Sequence, residues 1–403
     1  MDFLHPINDK RINFAALLAY LDVKRTLHQG RPRREEVNNR SPIQCKSLST
    51  DMKRTSILCI TVIAIIATFL ASCRNHKNPN PEQEQTAAMD TFDYEDNISK
   101  FANTVFVPTM EHRISAETNA VYCVTLLYAW DEIRKTIQTP LTIPSRHHDL
   151  TLLNADLWFR NTLNPNEYTA EGLVEGDKII TRATFKKNLP FDHQFESYDN
   201  RLKFTGTKVA SFGFIGNHGH ECNDQARILY YQNDRHFLVK LVPEDTAHEI
   251  LLYMPDHTFS TISEMLPEVK QLMEKGNMER KQASQKWKYN ILEEDELIIP
   301  KFDFDISTVY NSLAGNRFSA ANTDYSIETA WQRTAFHLDE SGAAVESEAT
   351  IICTYGIVEE NPNKPQPKKM VFNRPFYILL KRTDAANPYF VLWVANPELM
   401  VTE

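Results

Sequence analysis

The chain has 403 residues, 42% apolar and 24% charged, with a net charge of −9. That is globular composition, sufficient for one large or two medium domains. From Cys73 onward 33 basic residues face 47 acidic ones, which excludes nucleic acid as a partner because phosphate binding needs a basic surface. The six cysteines lack CxxC spacing and form no disulfide framework.

Met52-Lys53-Arg54 precedes fifteen mostly apolar residues, Ile57 to Ala71. A basic start, an apolar run of this length and small residues behind it make a secretory signal, and fifteen residues fall short of a membrane-spanning helix. Leu70-Ala71-Ser72-Cys73 resembles the lipobox of bacterial lipoproteins, which implies acylation of Cys73 and a lipid anchor in the membrane at the cell envelope, at the periplasmic face of the outer membrane or at the cell surface. Residues 1–51 are then expected to be a mis-called upstream extension, 52–73 the signal, and 74–91 a flexible polar tether. The folded part is expected over residues 92–403.

Within that part, Phe92–Val107 and Asn119–Ile137 carry apolar residues at helical spacing and predict two helices. Leu150–Asn161 predicts a strand, with Leu153, Ala155, Leu157 and Phe159 on one side. Strands are also predicted in 177–185, 201–216, 226–242 and 248–255, separated by turn residues. Thr261–Gly276 predicts a helix with an approximate N-cap at its start and Gly276 as its C-cap. Helices first and strands afterwards, with little βαβ alternation, predict an α+β fold with large, mainly antiparallel sheets.

His218, His220 and Cys222 alternate and would share a face of a strand, and imidazole and thiolate are zinc ligands. A fourth ligand is not evident and Gly216 and Gly219 suggest a turn, so no metal site is expected. His147-His148 predicts a polar loop pair; Tyr230, Tyr231 and Trp393 predict core. No catalytic motif and no phosphate-cradling glycine loop is present. The chain is expected to be no enzyme and to need no cofactor.

From Ile298 the landmarks fall in the order of the serpin family. "AFHLDESGAA" resembles the strand and hinge leading into the serpin reactive loop. Asn373-Arg374-Pro375-Phe376 and Val394-Ala395-Asn396-Pro397 resemble the closing strands, and "LLNADLWFRN", "YTAE" and "FLVKLVPEDTAHEILLYMPD" fall upstream in the same order. The resemblance covers Phe92 to Pro397 and implies a serpin-like fold with an exposed reactive-centre-like loop. It also departs. Between Glu171 and Phe185 only thirteen residues stand where serpins carry about fifty more. Gln332 occupies the place of a histidine near the sheet's opening. Ser115-Ala116-Glu117-Thr118 replaces Ser-Pro-x-Ser.

The resemblance gives a meaning to "LDESGAAVESEAT", Leu338 to Thr350. A serpin loop is extended when intact and joins the main sheet as a strand once cut. In a strand, alternate side chains share a face. One face would hold Ala343, Val345, Ser347 and Ala349, all small and uncharged. The other would hold Ala344, Glu346, Glu348 and Thr350. Glu340, Gly342, Ala343, Val345, Ser347 and Ala349 are therefore the candidate hinge. Counting about fourteen residues from Gly342 puts the scissile bond after Gly356, within Thr354-Tyr355-Gly356-Ile357. Counting back from Asn373 gives Lys364, which precedes Pro365 and is a poor substrate bond. The resemblance implies a monomeric inhibitor of a serine or cysteine endopeptidase outside the cell or in the periplasm. The alternative is a non-inhibitory binding module with a fixed loop.

Overall fold

The computed structural model describes residues 101–185, 187–216, 224–344 and 366–402. All of them belong to one compact unit, Asp93–Glu403. Eighteen strands and three α-helices are described. In chain order they are β1 (Thr104–Phe106), β2 (Asn119–Cys123), α1 (Thr125–Ile137), α2 (His148–Ala155), β3 (Tyr168–Glu175), β4 (Lys178–Phe185), β5 (Leu189–Pro190), β6 (Glu196–Phe204), β7 (Thr207–Ile215), β8 (Ala226–Asn233), β9 (His236–Leu241) and β10 (His248–Met254). Then follow α3 (Ile262–Glu279), β11 (Glu296–Pro300), β12 (Phe302–Val309), β13 (Arg317–Ala320), β14 (Thr323–Asp339), β15 (Gly342–Ala344), β16 (Lys369–Val371), β17 (Phe376–Arg382) and β18 (Phe390–Val394).

They form three sheets. One runs β1-β2-β18-β17-β10-β9-β8, a second β16-β11-β7-β6, and the third β3-β4-β14-β15-β5, with β12 and β13 pairing other stretches of β14. The pairing is antiparallel except for β1 with β2, β4 with β14 and β11 with β16. The predicted α+β architecture with large, mainly antiparallel sheets is what the chain adopts.

The core lies between the first and third sheets. Phe336 of β14 stacks on Phe390 of β18 at 4.9 Å, and Phe376 of β17 meets Phe302 at 6.3 Å and Phe372 at 4.8 Å. Each such ring withdraws enough apolar surface from water to contribute about 1.5–3 kcal/mol. The other face of the third sheet carries α1, whose Leu126, Ala129, Trp130 and Ile133 repeat every three or four residues and are buried.

Four predicted elements are corrected. Thr104–Phe106, read as the end of a helix, is an edge strand parallel to β2. Asn119–Cys123, read as a helix start, is a strand with all five residues buried. A central strand covered on both faces shows no alternation, so its apolar run fits either period. Leu150–Asn161 is not a strand: α2 runs from His148 to Ala155 and buries Leu150 and Leu153, while Leu157 and Trp158 beyond it are exposed. Gly276 is not a C-cap, since α3 continues to Glu279. A Cβ there would lie 1.8 Å from the carbonyl oxygen of Leu229, so Gly276 lets the helix touch β8. The helix is capped at its start by Thr261, whose hydroxyl accepts from the Glu264 amide at 3.1 Å. No helix among the described residues is long and apolar enough to cross a membrane.

Candidate functional site

The hinge is a tight hairpin. β14 ends at Asp339, two residues turn the chain, and β15 begins at Gly342, which pairs with Asp339. Asp339 organises the turn: one carboxylate oxygen accepts from the Ser341 amide at 2.8 Å and from its hydroxyl at 2.7 Å. The other lies 2.9 Å from His337 Nε2. Burial alone would raise the Asp339 pKa, but the bonds from His337 and Ser341 outweigh it and hold the carboxyl down at about 2. In return the hydrogen bond to Asp339 raises the His337 pKa above its usual value.

The turn residues are fixed from outside as well. The Glu340 carbonyl accepts from Phe195 N at 3.0 Å and the Ser341 carbonyl from Phe191 N at 2.8 Å. The Glu340 carboxylate pairs with Lys301 Nζ at 2.5 Å, and that ammonium also donates to Ser197 Oγ at 2.8 Å. Gly342 sits at φ +139°, and a Cβ on it would lie 2.5 Å from the Leu189 carbonyl oxygen. Conformation and space therefore both require glycine. Ala343 is buried, paired with Leu338 on one side and Leu189 on the other. The first hinge residues are thus already a sheet strand, lodged between β14 and β5.

Below Ala343 the sheet is open. On the edge of β14 that carries β15, the β15 pairing stops at His337, while the β4 pairing reaches only Gln332. Among the described residues no strand pairs with Arg333–Phe336 on that edge. The gap is a narrow apolar crevice lined by Phe185, Leu189, Thr334, Phe336, Ala343 and Phe390. The buried Thr334 hydroxyl has no hydrogen-bond partner, a costly state for a polar group out of water.

Immediately beyond the gap, Gln332 is fully buried. Its Nε2 donates to Thr125 Oγ1 at 2.7 Å and to the Cys123 carbonyl at 3.2 Å, and its Oε1 accepts from the Tyr310 hydroxyl. It ties β14 to the junction of β2 and α1. A neutral amide holds three bonds there without a charge.

The far end of the loop-like segment is anchored by charge. Lys368 is buried against Asp295, Nζ to carboxylate 2.7 Å, and its amide donates to the other oxygen of Asp295 at 2.8 Å. β16 then pairs with β11. Arg374 donates through Nη2 to the carbonyls of Arg235 and Pro255. At the chain's end, Asn396 exchanges bonds with Asn119, Nδ2 of Asn119 to Oδ1 of Asn396 being 2.9 Å.

Of the residues expected at the hinge, Glu340, Gly342 and Ala343 are brought together by this hairpin. Val345, Ser347, Ala349, Thr354, Tyr355, Gly356 and Ile357 lie outside the described residues, as do Lys364, Cys73 and the His218, His220, Cys222 group. His148 opens α2, and Tyr230, Tyr231 and Trp393 are core. Sequence reasoning missed Lys301, Asp339, His337 and Thr334. For Asp339 a signal existed, since an Asp two residues before a Ser-Gly is a turn former; for Lys301, distant in sequence from Glu340, none did.

No family model matches the chain, and no curated protein matches it. The chain is similar to serpins of solved structure. Serpin48 of the insect Tenebrio molitor is 12% identical over 54% of this chain and 56% of its own, with a TM-score of 0.33. The thermophilic serpin Tengpin, in its native state, is 14% identical over 54% and 55%, with a TM-score of 0.34. Human glycosylated kallistatin is 16% identical over 55% and 56%, also at 0.34. The chain spans little more than half the length of each.

Proposed function

We propose that this chain is a non-catalytic, serpin-like inhibitor of a serine or cysteine endopeptidase, held at a bacterial cell envelope through a lipid on Cys73. Cleavage within Thr354–Ile357 releases the hinge to extend β15 into the third sheet. The observation that carries this reading is the seating of Gly342–Ala344 as the start of a strand above an unfilled gap. Ala343 opposite Leu338 sets an antiparallel register. Continued, it would place Val345 opposite Phe336, Ser347 opposite Thr334 and Ala349 opposite Gln332. The small, uncharged residues would then face the core, as Ala343 does, and Ser347 would offer the Thr334 hydroxyl a partner. Glu346 and Glu348 would face away from it. The four residues Val345–Glu348 match the four unpaired positions of β14.

The test is incubation with a panel of serine and cysteine endopeptidases, followed by denaturing electrophoresis and by melting of the nicked protein. A protease adduct stable in denaturant, and a cleaved form melting well above the intact one, are expected. Val345→Glu should abolish the gain, because insertion would bury an unpaired carboxylate; Glu346→Ala should keep it. An unchanged melting temperature after nicking near Gly356 would overturn insertion and leave a binding module with a fixed loop. Equal sensitivity at 345 and 346 would overturn the two-face assignment.

A further inference from the structure

A second cluster lies away from the hinge, where α3 crosses the end of β9 and the loop after β10. His236 opens β9 and is buried, Asp256 follows β10 by two residues, and Glu268 lies in α3. One ligand-type atom from each falls within 4.8 Å of the others. Nδ1 of His236 is 3.3 Å from an Asp256 carboxylate oxygen. His257 flanks both acids, Nδ1 at 2.9 Å from Asp256 and Nε2 at 3.3 Å from Glu268.

The hydrogen bonds around the cluster decide which atoms face inward. The Tyr253 hydroxyl donates its single proton to Glu268 Oε1 at 2.5 Å. It lies 3.4 Å from His236 Nε2, so across that contact the imidazole is the donor and the phenol oxygen accepts. That tautomer leaves Nδ1 as a lone pair. Nδ1 is also 3.2 Å from Gln232 Oε1. The amide orientation of Gln232 is fixed in turn, because Lys275 Nζ donates to the Tyr230 hydroxyl at 3.0 Å and that hydroxyl donates to Gln232 Oε1 at 3.0 Å. An imidazole lone pair, a carboxylate and an amide oxygen therefore converge with no proton between them. Three acceptors at contact distance repel one another unless a cation stands among them.

We propose that His236 Nδ1, Asp256 and Glu268 bind a divalent cation of borderline hardness, zinc being the best fit. Two zinc bonds of about 2.0–2.1 Å at a tetrahedral angle separate their donors by roughly 3.3 Å, which is the His236–Asp256 spacing. One imidazole with two carboxylates suits zinc or manganese better than calcium, which takes six to eight oxygens. Tyr253 supplies the outer support such sites use, fixing both the His236 tautomer and the Glu268 rotamer. The residues just before two of the ligands, Arg235 and Pro255, give their carbonyls to Arg374. The cation would thus brace the point where the chain returns from the loop-like segment.

The experiment is a titration of the full chain with zinc against a chromogenic chelator, repeated with cobalt(II) read by absorption. One tight equivalent is expected, with weak visible cobalt bands and no intense near-ultraviolet thiolate band. Glu268→Gln and Asp256→Asn should each weaken binding at least about tenfold, and His148→Gln should not. Asp256 is half-exposed, so its variant keeps the test valid if His236→Gln fails to fold. A thiolate band would assign the metal to a cysteine and overturn the proposal. So would the absence of a saturable equivalent, or wild-type affinity in both carboxylate variants.

Discussion

Lys368 and Asp295 form an ion pair at 2.7 Å with neither side chain exposed to solvent. Lys368 Nζ also donates to the Trp287 carbonyl at 3.3 Å and stands over its ring. Burial lowers the lysine pKa while Asp295 works to raise it. Removing one partner strands a charge in a dry site, which costs about 3–5 kcal/mol. Lys368→Met and Asp295→Asn should each lose that much in denaturant unfolding, and the double variant much less than their sum. Additive losses would mean that the two side chains stabilise the fold independently.

Gly342→Ala should unseat the hinge. The positive φ and the clash with the Leu189–Phe191 backbone together cost about 1–3 kcal/mol or more. Amide hydrogen exchange is the measure: Ala343 and Leu189 should lose protection, while β17 and β18 keep theirs. Unchanged protection at Ala343 would contradict the tight packing of Gly342 against β5.

The pH dependence of the hinge follows from His337 and Asp339. His337 has a raised folded pKa, so its contribution is complete below about 6.5 and is lost as pH rises through the folded value. Asp339 has a depressed one, so its contribution is complete above about 4 and is lost as pH falls through about 2. Both are in place between about pH 4 and 6.5. Buried His112 and His248, whose pKa values are lowered by desolvation, oppose this trend because they resist protonation. The comparison is therefore between the wild type and His337→Gln from pH 5 to 8.5. Their melting temperatures should converge as pH rises; a constant difference would remove the pair from the argument.

Limited proteolysis should cut first between Cys353 and Lys369. The C-terminal fragment should stay bound, because β17 and β18 lie inside the seven-stranded sheet between β2 and β10. A first cut elsewhere, with this window resistant, would contradict the loop assignment.

Lipidation has its own test in a bacterial host. The mature protein should partition with membranes, and Cys73→Ala should abolish both the partitioning and the acyl mass. An unchanged mass and distribution in the variant would end the proposal.

The hairpin strands of the sheets were legible because alternation and turn residues repeat along them, as in 201–216 and 226–242. The elements misread are those where local pattern is silent. β2 is buried on both faces, and the apolar run that opens α2 is too short to distinguish a helix from a strand. At the hinge, the burial of Ala343 follows from the small-residue alternation. The Gln332 clamp does not, since its partners lie on β2, α1 and the loop after β12. The His236, Asp256 and Glu268 group has no motif spacing, because a strand, a loop and a helix each supply one member.

The parallel ladder between β4 and β14, from Ser326 to Gln332, sets a threshold. Four residues of an entering strand would complete empty positions and break nothing. A fifth, Ala349 opposite Gln332, would compete with Ala183 for the same backbone groups. From there, growth is strand displacement: each antiparallel pair gained is a parallel pair lost, nearly neutral in hydrogen bonds and slightly favourable, since parallel pairing is the weaker of the two. Such an exchange proceeds by stepwise branch migration, with the Gln332 amide as its first toll gate.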